Sequence, residues 1–222
     1  MQNRLSYLPF ASTTLVFWLT FSFLPFISNY QPIVAQASTV AEQEPGAEKW
    51  FLEVYELWLK GEYPATLAKL QQYLTDFREK GDRAREGAVI ACIAIVYRSM
   101  GNYNQSLRYF QEALAILRAN SLKNNSTARI WEGRALDQMG LVYSFLGQYP
   151  QAFASAQQAL DINRKMGDLI WEGRTLNNLA NLYSTFGQDI QALELYQKAL
   201  VIHQKIGNEP EVAVTLANIG TI

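Results

Sequence analysis

Apolar residues recur along most of the chain with the spacing of one face of an amphipathic α-helix. Residues 176–183 place Leu, Leu, Ala and Tyr at the i, i+3, i+4 and i+7 positions of such a face. A second segment of this kind, residues 192–202, follows a short stretch that contains Gly187. Two helical segments joined by a short glycine-containing connection predict an antiparallel helical hairpin.

This two-helix pattern repeats along the chain. Glycines with equivalent surroundings stand at positions 61, 101, 147 and 187, spaced by 40, 46 and 40 residues. The longer interval contains the polar stretch 119–126, which we interpret as an insertion, because loops accept added residues at small cost. The pattern predicts hairpins at about 47–82, 83–126, 127–168 and 169–208, and the beginning of a fifth at 209–222.

A short sequence word recurs near the start of the predicted first helix of each hairpin. WEGR occurs at residues 131–134 and 171–174, and a weaker copy, REGA, begins at Arg85. A glycine inside a helix costs about 1 kcal/mol relative to alanine. We therefore expect the glycines to permit close backbone contact with the preceding hairpin, and the two tryptophans to cover that junction. These glycines are Gly87, Gly133 and Gly173.

The first 37 residues have a different character. They begin with one arginine, continue through a mostly apolar run at 15–27 and end in small residues with an Ala-x-Ala pattern. This order predicts a secretory signal peptide, residues 1–37, cleaved after Ala37. An uncleaved membrane anchor is the alternative, although a spanning helix needs about 20 apolar residues. Residues 38–46 are predicted to be a flexible linker, and the protein to be exported, periplasmic or secreted.

Composition narrows the classes of function. The chain has 222 residues, of which 18% are charged, and its formal net charge is −1, so it lacks the basic character of nucleic-acid-binding proteins. Its one cysteine, Cys92, is expected to be buried among apolar neighbours, and its one histidine, His203, to be a surface or half-buried structural residue. The sequence has none of the common hydrolase, nucleotide-binding or metalloprotease motifs. It predicts a non-enzymatic protein with no metal and no cofactor.

The repeats resemble the tetratricopeptide repeat (TPR) family. The fourth unit, LNNLANLYSTFGQDIQALELYQKAL, follows the family pattern except at Asp189, where tyrosine is usual. The third, LDQMGLVYSFLGQYPQAFASAQQAL, departs at Ala156, where an aromatic residue is usual. The repeat length of about 40 resembles that of kinesin light chains. Signal and repeats together resemble exported cyanobacterial proteins, many of which continue into a CHAT domain that this sequence does not contain.

The resemblance implies an all-α fold, a right-handed superhelical solenoid of antiparallel helix hairpins. Such a fold needs small residues where backbones approach, tyrosines that fill the remaining space and glycines at the hairpin turns. The implied packing positions, besides the glycines of the repeated word, are Ala94, Gly140, Ala180, Tyr97, Tyr143, Tyr183, Gly101, Gly147, Gly187, Ala152, Ala192, Ala159 and Ala199.

The resemblance also implies a protein–protein interaction scaffold that binds peptide segments in a concave groove formed by the first helices. Asparagine amides can pair with a peptide backbone, and arginines with carboxylates, which favours an extended acidic or C-terminal peptide. The groove residues implied are Arg98, Arg134, Asp137, Leu141, Phe145, Arg174, Asn177, Asn181 and Ser184. Asn178 occupies a different recurring position, which we expect to hold adjacent helices together.

Two alternatives remain open at this point. The repeats could be the regulatory or recruiting arm of a larger enzyme whose protease-like domain lies outside this chain. The unfinished fifth hairpin could also support self-association, because Leu216, Ile219 and Ile222 would lack a partner helix. The identity of the partner protein is not encoded in any motif, no nucleic-acid partner is expected, and membrane contact is expected only if the N-terminal segment is uncleaved.

Overall fold

The computed structural model describes residues 49–222, which form an all-α unit and confirm the predicted fold class. The predicted signal peptide, 1–37, and linker, 38–46, lie outside the described residues. Within the described range the α-helices are α1 (Lys49–Leu59), α2 (Tyr63–Glu79), α3 (Arg83–Ser99), α4 (Tyr103–Leu117), α5 (Ser126–Phe145), α6 (Tyr149–Met166), α7 (Leu169–Thr185), α8 (Asp189–Lys205) and α9 (Glu209–Ile219). We call α1, α3, α5, α7 and α9 the first helices and α2, α4, α6 and α8 the second helices.

Local sequence signals account for where these helices begin and end. Asn125 caps α5, because its Oδ1 accepts a hydrogen bond from Ala128 N at 2.9 Å. At the other end of α5, Gly147 has a φ of 70°, a conformation that glycine adopts without steric cost. Gln148 N then donates to Tyr143 O at 2.8 Å, which closes the helix and turns the chain into α6.

Small side chains let the two helices of a hairpin approach closely. Gly140 of α5 lies against α6, where an added Cβ would stand 3.3 Å from Ala152 O. In the preceding hairpin, Ser106 takes the position of Ala152 and donates its hydroxyl to Ala94 O at 2.8 Å. The other predicted small positions are also fully buried, and they are Ala159, Ala180, Ala192 and Ala199. The tyrosines at 97, 143 and 183 are half-buried and the turn glycines at 101, 147 and 187 all have positive φ.

Successive hairpins stack side by side. Each second helix packs against the first helix of the next hairpin, and the first helices α3, α5, α7 and α9 also contact one another in sequence. The first hairpin joins this stack through aromatic residues. Trp50 of α1 packs against Phe77 of α2 and Trp131 of α5, with ring centroids 5.9 and 6.0 Å apart. Trp58 Nε1 donates to Ser99 Oγ of α3 at 2.9 Å.

The insertion at 119–126 is more ordered than its polar composition suggests. It contains a short 3-10 helix, Asn120–Leu122, and ends in the residue that begins α5. Leu122 is 9% exposed and packs into the core, and this burial fixes the path of the insertion. The predicted loop therefore contributes one apolar anchor between the second and third hairpins.

The described residues offer few groups for redox or metal chemistry. Cys92 is buried, as predicted, and burial raises the pKa of its thiol to about 12, so it stays protonated at neutral pH. Within residues 49–222, no three His, Cys, Asp or Glu side chains are grouped to hold a metal. In the same range, no helix combines the length and the apolar character needed to cross a membrane.

Candidate functional site: the first helices and the WEGR word

The glycines of the repeated word face the second helix of their own hairpin, not the preceding hairpin. A Cβ on Gly87 would lie 2.7 Å from Leu117 Cγ, and one on Gly173 would lie 2.5 Å from His203 Cε1. Gly133 faces Asn163 in the same way. The antiparallel hairpin brings the start of its first helix beside the end of its second, so the expected contact with the preceding hairpin is corrected.

His203 is consequently fully buried, with 0% of its side chain exposed, rather than a surface or half-buried residue. It is equivalent to Asn163, and both lie 30 residues after the glycine that they face. Burial lowers the pKa of the imidazole, while Glu211 opposes and Arg174 adds to that shift. The ring is therefore neutral at physiological pH and fills the space that the missing Cβ leaves.

The glutamates of the word bind the preceding hairpin. Glu132 Oε1 accepts from Arg118 Nε at 2.7 Å, and Glu172 Oε1 accepts from Arg164 Nε at 2.9 Å. REGA has the same contact, in which Glu86 accepts from Arg78 at 2.9 Å. In each case the arginine lies near the end of a second helix and the glutamate in the first turns of the next first helix. The repeated ion pair therefore joins successive hairpins.

The tryptophans and arginines of WEGR form an alternating stack, the Trp–Arg ladder (Trp131, Arg134, Trp171 and Arg174). The guanidinium carbon of Arg134 lies 5.3 Å from the ring centroid of Trp131 and 5.5 Å from that of Trp171. Arg174 lies 5.2 Å from the Trp171 ring. Such cation–π contacts join α5 to α7 at their N-terminal ends.

Both arginines of the ladder also pair with an acid farther along the chain. Arg134 Nη2 lies 3.1 Å from Asp168 Oδ2, and each of these side chains is 11% exposed. Arg174 Nε lies 2.8 Å from Glu211 Oε1 of α9. The structure thus places these two predicted groove arginines in the junctions between hairpins.

Asp137 and Asn177, also predicted as groove residues, are buried between first helices, with 1% and 4% exposed. Asn177 Nδ2 donates to Thr215 Oγ1 at 2.8 Å, which ties α7 to α9. One hairpin earlier, Asp137 accepts from Asn178 Nδ2 at 3.0 and 3.1 Å, so Asn178 holds adjacent helices as expected. Burial raises the pKa of Asp137, while hydrogen bonds from Thr175 and Asn178 lower it.

The remaining predicted groove residues lie in the C-terminal halves of α3, α5 and α7, and we call them the inner strip (Arg98, Leu141, Phe145, Asn181 and Ser184). Phe145 is 60% exposed and stacks on Tyr103, with ring centroids 5.3 Å apart. Asn181 is exposed, and its Oδ1 accepts a hydrogen bond from the Tyr196 hydroxyl. Leu141 and Ser184 are partly exposed.

Arg98 has an unusual position within the inner strip. Its side chain is partly buried, and its Nε has no hydrogen-bond partner among the described residues. Burial lowers the pKa of the guanidinium, while Asp137 and Tyr103 act in the opposite direction. A buried donor without an acceptor is costly, and a ligand oxygen placed there would remove that cost.

Sequence reasoning missed the acids and hydroxyls that pair with the predicted groove residues. The acids are Asp168 and Glu211, which pair with Arg134 and Arg174, and the hydroxyls are those of Thr175 and Thr215, which pair with Asp137 and Asn177. The threonines carried a usable signal, because they stand 40 residues apart, two positions before Asn177 and Ala217. A residue that recurs at one repeat position in this way is a candidate for contact between hairpins.

The fold and these contacts define a solenoid of stacked helical hairpins joined by repeated side-chain pairs. The family model of the tetratricopeptide repeat matches residues 87–165 and 126–202, which together exceed half of the chain. This chain belongs to the tetratricopeptide repeat family. No curated protein sequence matches it.

The chain is similar to several solved structures. BtubC (BKLC) from P. vanneervenii is 17% identical, with 88% of this chain and 80% of that chain covered at a TM-score of 0.65. The apo form of RapI is 15% identical, with coverage of 88% and 54% and a TM-score of 0.60. A putative kinesin light chain from Podosopora anserina with TPR-like repeats is 16% identical, with coverage of 84% and 95% and a TM-score of 0.48. The fold suggests a protein–protein interaction scaffold, and proteins built from these repeats are typically non-catalytic.

Proposed function

We propose that this protein is a scaffold that binds peptide segments along the inner strip. The observation that carries the proposal is the unpartnered, buried Nε of Arg98. Arg98 lies on α3, and α5 and α7 follow α3 in the row of first helices. The C-terminal halves of the next two first helices provide an apolar pair, Leu141 and Phe145, and a polar pair, Asn181 and Ser184. This combination suits an extended peptide that carries an apolar side chain and a carboxylate or carbonyl for Arg98.

The proposed site is narrower than the sequence alone indicates. Arg134, Asp137, Arg174 and Asn177 already pair with neighbouring hairpins, so changing them would disturb stacking as well as any binding. The inner strip retains side chains that can contact a ligand without breaking those pairs. Asn181, for example, accepts through Oδ1, which leaves its Nδ2 available to donate.

The proposal is tested with a peptide selected from a random display library against the full chain. The Kd of that peptide is then measured by fluorescence anisotropy for the wild type and for an Arg98→Gln/Phe145→Ala variant. We expect the variant to bind at least about tenfold more weakly, because two contacts of about 1 kcal/mol each are lost.

A matched control keeps the test specific to the inner strip. Gln111→Ala/Gln197→Ala changes two exposed residues of the second helices α4 and α8, and we expect its Kd to stay within about twofold of the wild type. Equal affinity of the wild type and the inner-strip variant would place the peptide site elsewhere. Thermal melts of all variants separate loss of binding from loss of folding.

A further inference from the structure

A cleft of about 480 Å³ lies on the side of the stack formed by the second helices. Its walls are α6 and α8, and α7 forms its floor. Leu160, Leu176 and Leu179 underlie the cleft but are nearly fully buried, so its accessible apolar surface comes mainly from the half-buried Phe153, Tyr183 and Leu195. The ring centroids of Phe153 and Tyr183 are 5.1 Å apart. The volume falls in the range of small-molecule sites, about 300–1,000 Å³.

The mouth of this cleft differs from the equivalent places in the other hairpins. Arg78 of α2 lies 3.6 Å from Glu112 of α4, which forms an ion pair between neighbouring second helices. At the next junction the same two repeat positions hold Arg118 and Gln158, and Arg118 Nη2 donates to Gln158 Oε1 at 3.1 Å. Both junctions are therefore bridged by an attractive contact.

The third junction holds two cations at these positions. Arg164 is equivalent to Arg118, and Lys198 is equivalent to Gln158. Arg164 keeps the contact of its Nε with Glu172 at 2.9 Å, but Lys198 cannot bridge to a second cation. Both side chains line the cleft, and the small Ala154 stands on its rim where Arg108 stands one hairpin earlier. Like charges and a small side chain thus leave this junction open.

We propose that the cleft binds a free amphiphilic anion, an unbranched acyl chain with a single carboxylate. The acyl chain lies against Phe153, Tyr183 and Leu195, and the carboxylate lies between Arg164 and Lys198, where it supplies the bridge that the other junctions make within the protein. Charge complementarity selects this occupant, because the exposed apolar side chains accept any hydrocarbon but the paired cations favour an anionic end. The site is separate from the inner strip, since its walls are second helices.

Decanoate is a suitable probe, and isothermal titration calorimetry of the full chain measures its binding. We expect one saturable site. Decanol, which has the same chain length without the charge, is expected to bind at least about tenfold more weakly. Lys198→Glu, which restores an Arg–Glu pair like that of Arg78 and Glu112, is expected to weaken decanoate binding by at least about tenfold. Lys198→Gln, which copies the Arg118–Gln158 pair, is expected to act in the same direction.

The control variant is Lys205→Glu, which makes the same charge change on α8 at an exposed residue outside the cleft lining. We expect it to leave the Kd within about twofold of the wild type. All variants share the same N-terminal segment, so differences between them report on the cleft. The proposal is overturned by the absence of saturable decanoate binding, by equal binding of decanol, or by equal loss in Lys205→Glu and Lys198→Glu. Binding to anionic phospholipid vesicles without binding to dissolved decanoate would also overturn it.

Discussion

At the scale of single residues, a glycine of the first helix packs closely against a buried side chain of the second helix in three successive hairpins. Three different residues meet the glycine at the same repeat position, namely Leu117, Asn163 and His203. The backbone of the first helix therefore accepts apolar, amide and imidazole groups there, provided that it carries no Cβ. The residue on the second helix thus differs among the three hairpins, whereas the residue on the first helix is glycine in all three.

Gly173→Ala is expected to lower the free energy of unfolding by about 1–3 kcal/mol, because the new methyl group would overlap the His203 ring. The measurement is urea unfolding followed by circular dichroism. In a His203→Ala background the same substitution should cost at least about 1 kcal/mol less, since the overlapping ring is gone.

Gly220→Ala is the matched control for this cycle. Its Cβ would meet no atom closer than 3.5 Å, and its φ is −70°. We expect it to be neutral or slightly stabilising, because alanine limits the unfolded chain more than glycine does. If both glycine substitutions have the same effect on stability, close packing against His203 is not the cause.

The buried imidazole also makes stability depend on pH. Burial lowers the folded-state pKa of His203 below the unfolded value of 6.5, so its contribution to stability is fully present above pH 6.5 and is lost as pH falls below it. His203→Leu, which copies Leu117, should remove this component. The difference in unfolding free energy between wild type and variant is expected to change below pH 6.5 with a slope of at most about 1.4 kcal/mol per pH unit. Parallel curves for the two proteins from pH 8 to 5.5 would contradict this assignment.

At the scale of helices, periodicity and turn residues predict where each helix lies in the sequence. Which neighbouring helix a given residue contacts is known only from the structure. The spacing of apolar residues locates the helix pairs, and the glycine at 147 locates the turn between α5 and α6. Whether Gly173 touches its own hairpin or the preceding one depends on three-dimensional helix crossing, which a repeat pattern does not contain. The burial of Asp137 could not be predicted either, because its hydrogen-bond partners come from the next hairpin.

The inner strip could be predicted only in part, because the sequence pattern shows which face of a helix is offset from the core but not which part of that face a neighbour covers. Every first helix of the repeat has a face that is offset from the core stripe, and Phe145 and Asn181 are exposed on α5 and α7 as that offset implies. The first half of the same face is covered instead, because Arg134 and Arg174 pair with acids of the following hairpin. A single helix does not reveal which half its neighbour covers.

At the scale of the whole repeat array, stability depends on neighbours, since a lone hairpin cannot bury its apolar stripe. Helix α7 lies between α6, α8, α5 and α9, whereas α9 packs mainly on α8 and more lightly on α7. Thr215 is the buried residue of α9, and its Val214 and Leu216 are 51% and 50% exposed. Among the described residues, α9 is therefore less supported by neighbouring helices than α7.

Hydrogen exchange should reveal that difference within the described part of the chain. We expect amides of α9 to exchange at least about tenfold faster than amides of α7 in the native state, because local opening of α9 breaks fewer contacts. Mass spectrometry of peptic fragments measures both helices in one experiment. Equal protection of the two helices would mean that the array opens as a single cooperative unit.

The Arg–Glu pair between hairpins has a consequence for how such a chain can grow. Arg78 and Glu86 are eight residues apart, as are Arg164 and Glu172, so both members of a pair lie across one connecting turn. A tandem duplication of one 40-residue unit would copy the arginine at the end of one hairpin and the glutamate at the start of the next, whichever breakpoint is used. The new junction between hairpins would then contain its Arg–Glu pair from the start. The gene could lengthen its array without first acquiring a compatible interface by mutation.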